Sequence, residues 1–195
     1  IALRWLPTDN IDATLSYFYQ KQDVEGRSID HFNALPASNA VSGDLTRKYT
    51  SAYRYEEPRV KTDELLSLEV TADLGFAELV SATGISSFAA DGQRDQTDLL
   101  IRLNYSYEDF PAFSAFTREL DNQDTFTQEL RLVSQSDSDF SWIAGFFYNK
   151  VEADGSSSEF TPGYDAFLGG SRPDALEYLS VSDSTVTESA FFGEV

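Results

Sequence analysis

Cysteine is absent from the 195 residues, which excludes a disulfide framework, a thiolate zinc site and a thiol nucleophile. There is a single histidine, His31, in a long polar stretch with no Ser/Asp arrangement nearby that would complete a triad. Basic residues are scarce. Fourteen Lys+Arg against 33 Asp+Glu give a formal net charge of -19, and a duplex binder needs a basic face to displace counterions, so nucleic acid is excluded as a partner. Long apolar runs are missing as well. Hydrophobic residues make up 41% of the chain, yet no stretch approaches the roughly 18–20 apolar residues of a membrane helix. The start has no basic n-region and no cleavage site. Ile1-Ala-Leu-Arg-Trp5 reads instead as the inside of a strand, as expected of a segment of something longer, although the length alone would suit one domain.

What is present is alternation of period two, the mark of a strand with one face on an apolar phase. From Glu64 to Leu74, the residues Leu66, Leu68, Val70, Ala72 and Leu74 share one face, opposite Ser67, Glu69, Thr71 and Asp73. From Asp12 to Lys21, Ala13, Leu15, Tyr17 and Tyr19 lie opposite Asp12, Thr14, Ser16 and Gln20, with Phe18 as the exception. From Phe126 to Val133, Phe126, Leu130 and Leu132 oppose Thr127, Glu129 and Arg131, and Gln128 breaks the apolar side. From Phe140 to Lys150, Trp142, Ala144, Phe146 and Tyr148 form an apolar set, but Ile143 and Phe147 make the reverse face partly apolar too. Segments 77–88 and 185–195 read as strands of ambiguous facing.

The connections alternate in length. Short turns are predicted at Pro7-Thr8-Asp9-Asn10, at Gly75 and at Gln135-Ser136-Asp137-Ser138-Asp139, all of turn-favouring composition. Between them, segments 24–62, 91–122 and 154–184 read as long loops, far above the handful of residues usual in compact domains. Short turns at one end and long loops at the other are the pattern of an outer-membrane barrel. Lipid offers no hydrogen-bond partners to the backbone, so a sheet crosses it only when its edges are closed. The expected fold is therefore all-β: an antiparallel up-and-down transmembrane barrel segment, about seven strands of a larger barrel, spanning residues 1–195 and completed by strands elsewhere.

The same residues carry a family resemblance. Phe126-Thr-Gln-Glu-Leu-Arg-Leu-Val-Ser134, a polar turn, and Phe140-Ser-Trp-Ile-Ala-Gly-Phe-Phe-Tyr148 resemble a hairpin of the TonB-dependent outer-membrane receptors. Leu3-Arg-Trp-Leu-Pro-Thr-Asp9 with the strand ending Tyr17-Phe18-Tyr19-Gln20, and Gly75-Phe-Ala-Glu-Leu-Val-Ser81, are similar to further hairpins of that family. The resemblance implies a barrel of about 22 strands filled by a plug. It implies import of a scarce nutrient such as a ferric siderophore, haem, cobalamin or an oligosaccharide, energised by TonB through a plug region that these residues do not include. It also implies contact with outer-membrane lipid and lipopolysaccharide in a Gram-negative cell, and no cofactor. Two other readings share parts of the pattern: a passive porin, and a soluble carbohydrate-binding β-protein whose alternating faces pack sheet on sheet.

Candidate ligand contacts lie in the first long segment. Arg47, Lys48, Tyr53, Arg54 and Tyr55, with Tyr49, Arg59 and Lys61, form a basic and aromatic cluster in an acidic chain, suited to an anionic ligand or to lipopolysaccharide phosphates at a barrel rim. Trp5, Tyr17, Tyr19, Trp142 and Tyr148 suit an interfacial aromatic girdle. The acids Asp91, Asp95, Asp98, Glu108, Asp109, Asp121 and Asp124 lack EF-hand spacing and read as solvated charge rather than a calcium site. Glu56-Glu57 alone does not make a glycosidase pair, and Gly169-Gly170 lacks a phosphate-loop context. No catalytic residue or metal ligand is assigned, and the expectation is a transporter segment rather than an enzyme.

Overall fold

The computed structural model describes residues 1–27, 53–103, 105–135, 140–172 and 174–195. Seven strands, β1 Ala2–Thr8, β2 Ile11–Val24, β3 Arg59–Asp73, β4 Ala77–Asp95, β5 Phe116–Ser134, β6 Ile143–Phe160 and β7 Leu176–Glu194, form one antiparallel sheet in sequence order. The sheet is an open meander. Among the described residues β1 pairs only with β2 and β7 only with β6, so both edges are free.

Local chemistry fixes the short connections. Asp9 and Asn10 close the first hairpin, where Thr8 opposes Ile11 and the Asn10 amide donates to Thr8 Oγ1 at 3.3 Å. Pro7 lies within β1 where the pairing with β2 is irregular between Trp5 and Thr8, a break in the ladder that tolerates proline. At the second turn Gly75 has φ +83°, a conformation that favours glycine, and its amide donates to Asp73 Oδ1 at 2.8 Å. Residues 136–139 of the third predicted turn lie outside the described set.

The strands are longer than the alternation predicts. β4 runs on to Asp95, β5 begins at Phe116, β6 ends at Phe160 and β7 begins at Leu176, so the expected loops 91–122 and 154–184 shrink to 96–115 and 161–175. The physical reason, for β4, β5 and β6, is that both faces of these extensions are largely polar, and a strand wet on both sides has no hydropathy period; the start of β7 instead carries Leu176, Tyr178, Leu179 and Val181 on both faces. A strand of 19 residues spans about 60 Å, well beyond the roughly 25 Å apolar band of an outer-membrane barrel.

Directly opposed residues of an antiparallel ladder point to the same side, so the register sorts every side chain. One row reads Leu3, Leu15, Leu68, Thr83, Gln128, Tyr148, Ser189, and its neighbour reads Trp5, Ala13, Val70, Ser81, Leu130, Phe146, Phe191. Rows led by Ile11 and by Tyr17 flank them, the latter running Leu66, Ile85, Phe126 and then Lys150 and Thr187 at the margin. Toward the loop end the same face changes abruptly to Tyr19, Glu64, Ser87, Asp124, Glu152, Thr185. Four rows at about 6.7 Å, extended by Leu74 at the turn end, make an apolar belt roughly 25 Å along the strands. The other face carries rows such as Arg4, Thr14, Glu69, Ala82, Glu129. The alternating sets predicted for β2, β3, β5 and β6 thus fall on one face.

Neither face is covered among the described residues. Leu3 is 65% exposed, Leu68 40% and Phe191 87%, while the buried apolar residues on the strands are the alanines Ala13, Ala72, Ala77 and Ala90. Gln128, the polar break in the belt, is satisfied within it: its amide nitrogen donates to Ser81 Oγ and Ala82 O, each at 3.2 Å, and its oxygen accepts from Thr83 Oγ1 at 2.6 Å.

Gly145 illustrates a tight approach on the polar face. Phe192 lies directly opposite it, and a Cβ at Gly145 would overlap the ring's Cζ. Alanine normally stiffens a strand usefully relative to glycine, but here it must expel the ring. Gly145→Ala is expected to destabilise the protein when Phe192 is present and to stabilise it in a Phe192→Ala background, with a coupling of about 1 kcal/mol. A double-mutant denaturation cycle reads that reversal of sign, and additive effects would mean that the ring does not rest on the glycine.

Candidate ligand-capture rim

The long-loop end of the sheet is where the chain acquires a core. Segment 53–58, entering β3, is stitched to the end of β4 and the residues after it. Glu57, only 1% exposed, accepts from Arg27 Nε at 2.8 Å, from Arg27 Nη2, and from the Asp95 amide at 2.9 Å. Asp95 in turn accepts from the amides of Arg54, Tyr55 (3.0 Å) and Thr97 (2.8 Å). Arg54 pairs with Asp98 at 3.0 Å, and Arg94 with Glu119 at 2.5 Å. A cleft of about 260 Å³ remains between Arg27, Tyr53, Glu57, Arg94, Asp98 and Leu99.

Of the predicted contact residues, Arg47 and Lys48 lie outside the described residues, as do Tyr49 and His31. Tyr53, Arg54 and Tyr55 are brought to this rim in different roles. Tyr53 is 44% exposed at the cleft. Arg54 is committed to Asp98, and the Tyr55 hydroxyl lies 2.8 Å from Ser114 Oγ while its ring sits 4.7 Å from Phe116. Phe116 stacks on Phe160 at 4.9 Å, and the Arg118 guanidinium stands 6.0 Å from both rings. Arg59 reaches Asp121 at 3.8 Å.

Loops 96–115 and 161–175 fold onto each other around aromatic rings. Tyr107 stacks on Phe113 at 4.5 Å and meets Tyr164 edge-on at 4.8 Å, and Phe110 stacks on Phe167 at 4.8 Å. Tyr107, Phe113 and Tyr164 are buried together with Leu100 and Ala115. The single helical turns α1, Thr97–Leu100, and α2, Tyr164–Phe167, supply Leu100, Tyr164 and Phe167. Asp165 is held by Arg172, whose amide and side chain both donate to it and keep its carboxyl below the usual range. Sequence reasoning missed this core. The signal was the spacing Tyr105, Tyr107, Phe110, Phe113 in a stretch otherwise read as loop.

Burial, and then the nearby carboxylates of Glu159 and Glu177, push the Tyr107 phenol up to about 12 from its ordinary 10.0. A raised folded-state value favours the neutral phenol, so this contribution to the loop core is complete below pH 10 and is lost as pH rises toward 12. Phenolate absorbance should therefore show one tyrosine titrating late in this window, absent from Tyr107→Phe. An unchanged late step in that variant would place Tyr107 in water.

The other predicted features are dispersed. Tyr17 and Tyr19 stand at the upper margin of the belt, and Trp5 and Tyr148 within it. Asp91 and Asp124 occupy separate strands, and among the described residues no three of His, Cys, Asp and Glu converge to hold a metal. Comparisons with known proteins return no matching family model, no matching curated protein and no matching solved structure.

Proposed function

We propose that the chain forms part of the wall of an outer-membrane β-barrel in a Gram-negative cell, belonging to an active importer of the TonB-dependent kind. The nutrient class is that implied by the family resemblance: a ferric siderophore, cobalamin or an oligosaccharide. The observation that carries the reading is the belt, in which every alternating apolar set falls on one face and gives way to a polar row, reached on β6 already at Lys150. Water would penalise that face at about 25 cal/mol per Å² of apolar area, whereas lipid covers it without a second protein layer. Free edges at β1 and β7 are closed in this reading by further strands, because unpaired backbone groups cost several kcal/mol each in hydrocarbon. Gln128 fits the same environment, since its polar atoms are answered by Ser81, Ala82 and Thr83 rather than by solvent.

These 195 residues contain no cysteine, so a cysteine introduced here is the single one in the segment. Single cysteines replacing Leu68 or Phe146 and carrying a spin label should be relaxed by lipid-dissolved oxygen in outer-membrane preparations, and labels at Ser87 by an aqueous paramagnet. Aqueous access at all three positions would end the membrane reading. Uptake that persists without TonB would leave the wall but make the protein a passive channel.

A further inference from the structure

The last apolar row of the belt and the first polar row above it enclose a hollow of about 370 Å³, within the range of roughly 300–1,000 Å³ usual for small-ligand sites. The register places its lining on one face. Leu66, Ile85, Phe126 and Lys150 share one row, and Glu64, Ser87, Asp124 and Glu152 share the next. The space opens because the short side chain of Ser87 stands between Glu64 and Asp124. Ile85 at the floor is left 53% exposed, against 41% for Leu66 and 39% for Phe126. An apolar floor is better covered by hydrocarbon than by water.

The charges around the hollow are ordered by depth. Lys150 Nζ lies 2.8 Å from Glu152, which leaves further ammonium donors for a second acceptor. It stands level with the apolar floor, whereas Glu64 and Asp124 stand one row, about 6.7 Å, nearer the loops. Neither of these two acids forms an ion pair among the described residues. The other cations on this face are further off: Lys21 is on β2, diagonal to Glu64 and three strands from Asp124, and Arg118 is three rows further along β5, beside Phe116 and Phe160.

We infer that this hollow seats a membrane lipid whose head carries a phosphate followed by an ammonium, as phosphoethanolamine does. An acyl chain lies on Leu66, Ile85 and Phe126, the phosphate meets Lys150, and the ammonium sits between Glu64 and Asp124. The sequence of apolar floor, cation and then carboxylates along the strands complements the sequence of tail, phosphate and amine in such a lipid. A head with the phosphate alone would face two carboxylates with nothing to offer them. The inference rests on the membrane reading, which puts lipid on this face, and adds which head is preferred there.

The test is native mass spectrometry of the intact protein released from detergent with phosphatidylethanolamine or phosphatidylglycerol of matched acyl chains. Both lipids carry the phosphate and only the first carries the amine. The ethanolamine lipid should be retained about 10-fold better, and Glu64→Gln and Asp124→Asn should each lower that ratio about 3-fold. Lys150→Gln should lower retention of both lipids about 3-fold, since the phosphate is common to them. Ser87→Phe, which fills the hollow and leaves every charge in place, should remove the preference. Equal retention of the two lipids, preference for the glycerol head, or unchanged retention in any of these variants would overturn the assignment. If a label at Leu68 is in lipid, such a result sinks this site alone; if that label is in water, the membrane reading falls and takes the site with it.

Discussion

If the belt faces lipid as proposed, replacing Leu130 with arginine is expected to destabilise the protein by about 2–4 kcal/mol, because the charge would lie near the middle of the apolar belt. Leu130 opposes Ser81 and Phe146, three rows from the polar row that holds Asp124, and is 41% exposed. The native chain shows the contrast one position away, where Arg131 points to the other face beside Glu129. Two controls separate depth from face. Ser87→Arg lies on the belt side but beyond its margin, where the cost should fall to about 0–1 kcal/mol. Ala82→Arg lies on the polar face, directly between Glu69 and Glu129, and its cost should stay below about 1 kcal/mol as the new charge meets two carboxylates. Chemical denaturation from lipid vesicles reads all three. Equal costs at Leu130 and Ser87 would remove the belt's meaning.

Much of the sheet was legible because an apolar phase writes itself into sequence at period two. The facing of Leu66, Leu68 and Val70, or of Phe126, Leu130 and Leu132, follows from that period, and the register bears it out. Asp9-Asn10 and Gly75 marked the turns for equally local reasons. The strand extensions were not legible. In 116–124 and 152–160 both faces carry Ser, Thr, Asp, Asn, Gln or Glu with few apolar residues, and ladder hydrogen bonds hold such stretches irrespective of side chain. The ambiguous facing of β4 and β7 was resolved only by pairing: Leu79 and Ile85 oppose Leu132 and Phe126, a fact about partners rather than about either strand. The rim was the least legible part. Glu57 looked like one acid among 33, and nothing local distinguishes a carboxylate that will be enclosed by Arg27 and the Asp95 amide from one left in solvent.

That enclosure makes Glu57 the most consequential polar side chain at the loop end. Its carboxylate is removed from water, and both oxygens are answered, one by the Asp95 amide and Arg27 Nη2, the other by Arg27 Nε. Truncation by Glu57→Ala leaves a guanidinium that is 33% exposed without its partner and a backbone donor without its acceptor. The expected local cost is about 3 kcal/mol, somewhat reduced from a fully buried pair because Arg27 still reaches solvent. Glu57→Gln keeps the shape and an acceptor for the amide but gives up the charge, and should cost roughly half as much. Hydrogen exchange is the suitable measurement, since the loss is confined to the rim while the sheet below keeps its ladders. Amides of Arg54, Tyr55, Asp95 and Thr97 should exchange about 100-fold faster in the alanine variant, given that 1.4 kcal/mol is a factor of ten. Amides of Leu66 and Leu130, in the belt, should be unaffected. Unchanged protection at Asp95 would mean that segment 53–58 is held by the ladder contact of the Gln93 amide with the Pro58 carbonyl and not by the carboxylate. Loss of protection throughout β4 would instead make Glu57 a determinant of the whole strand's upper half.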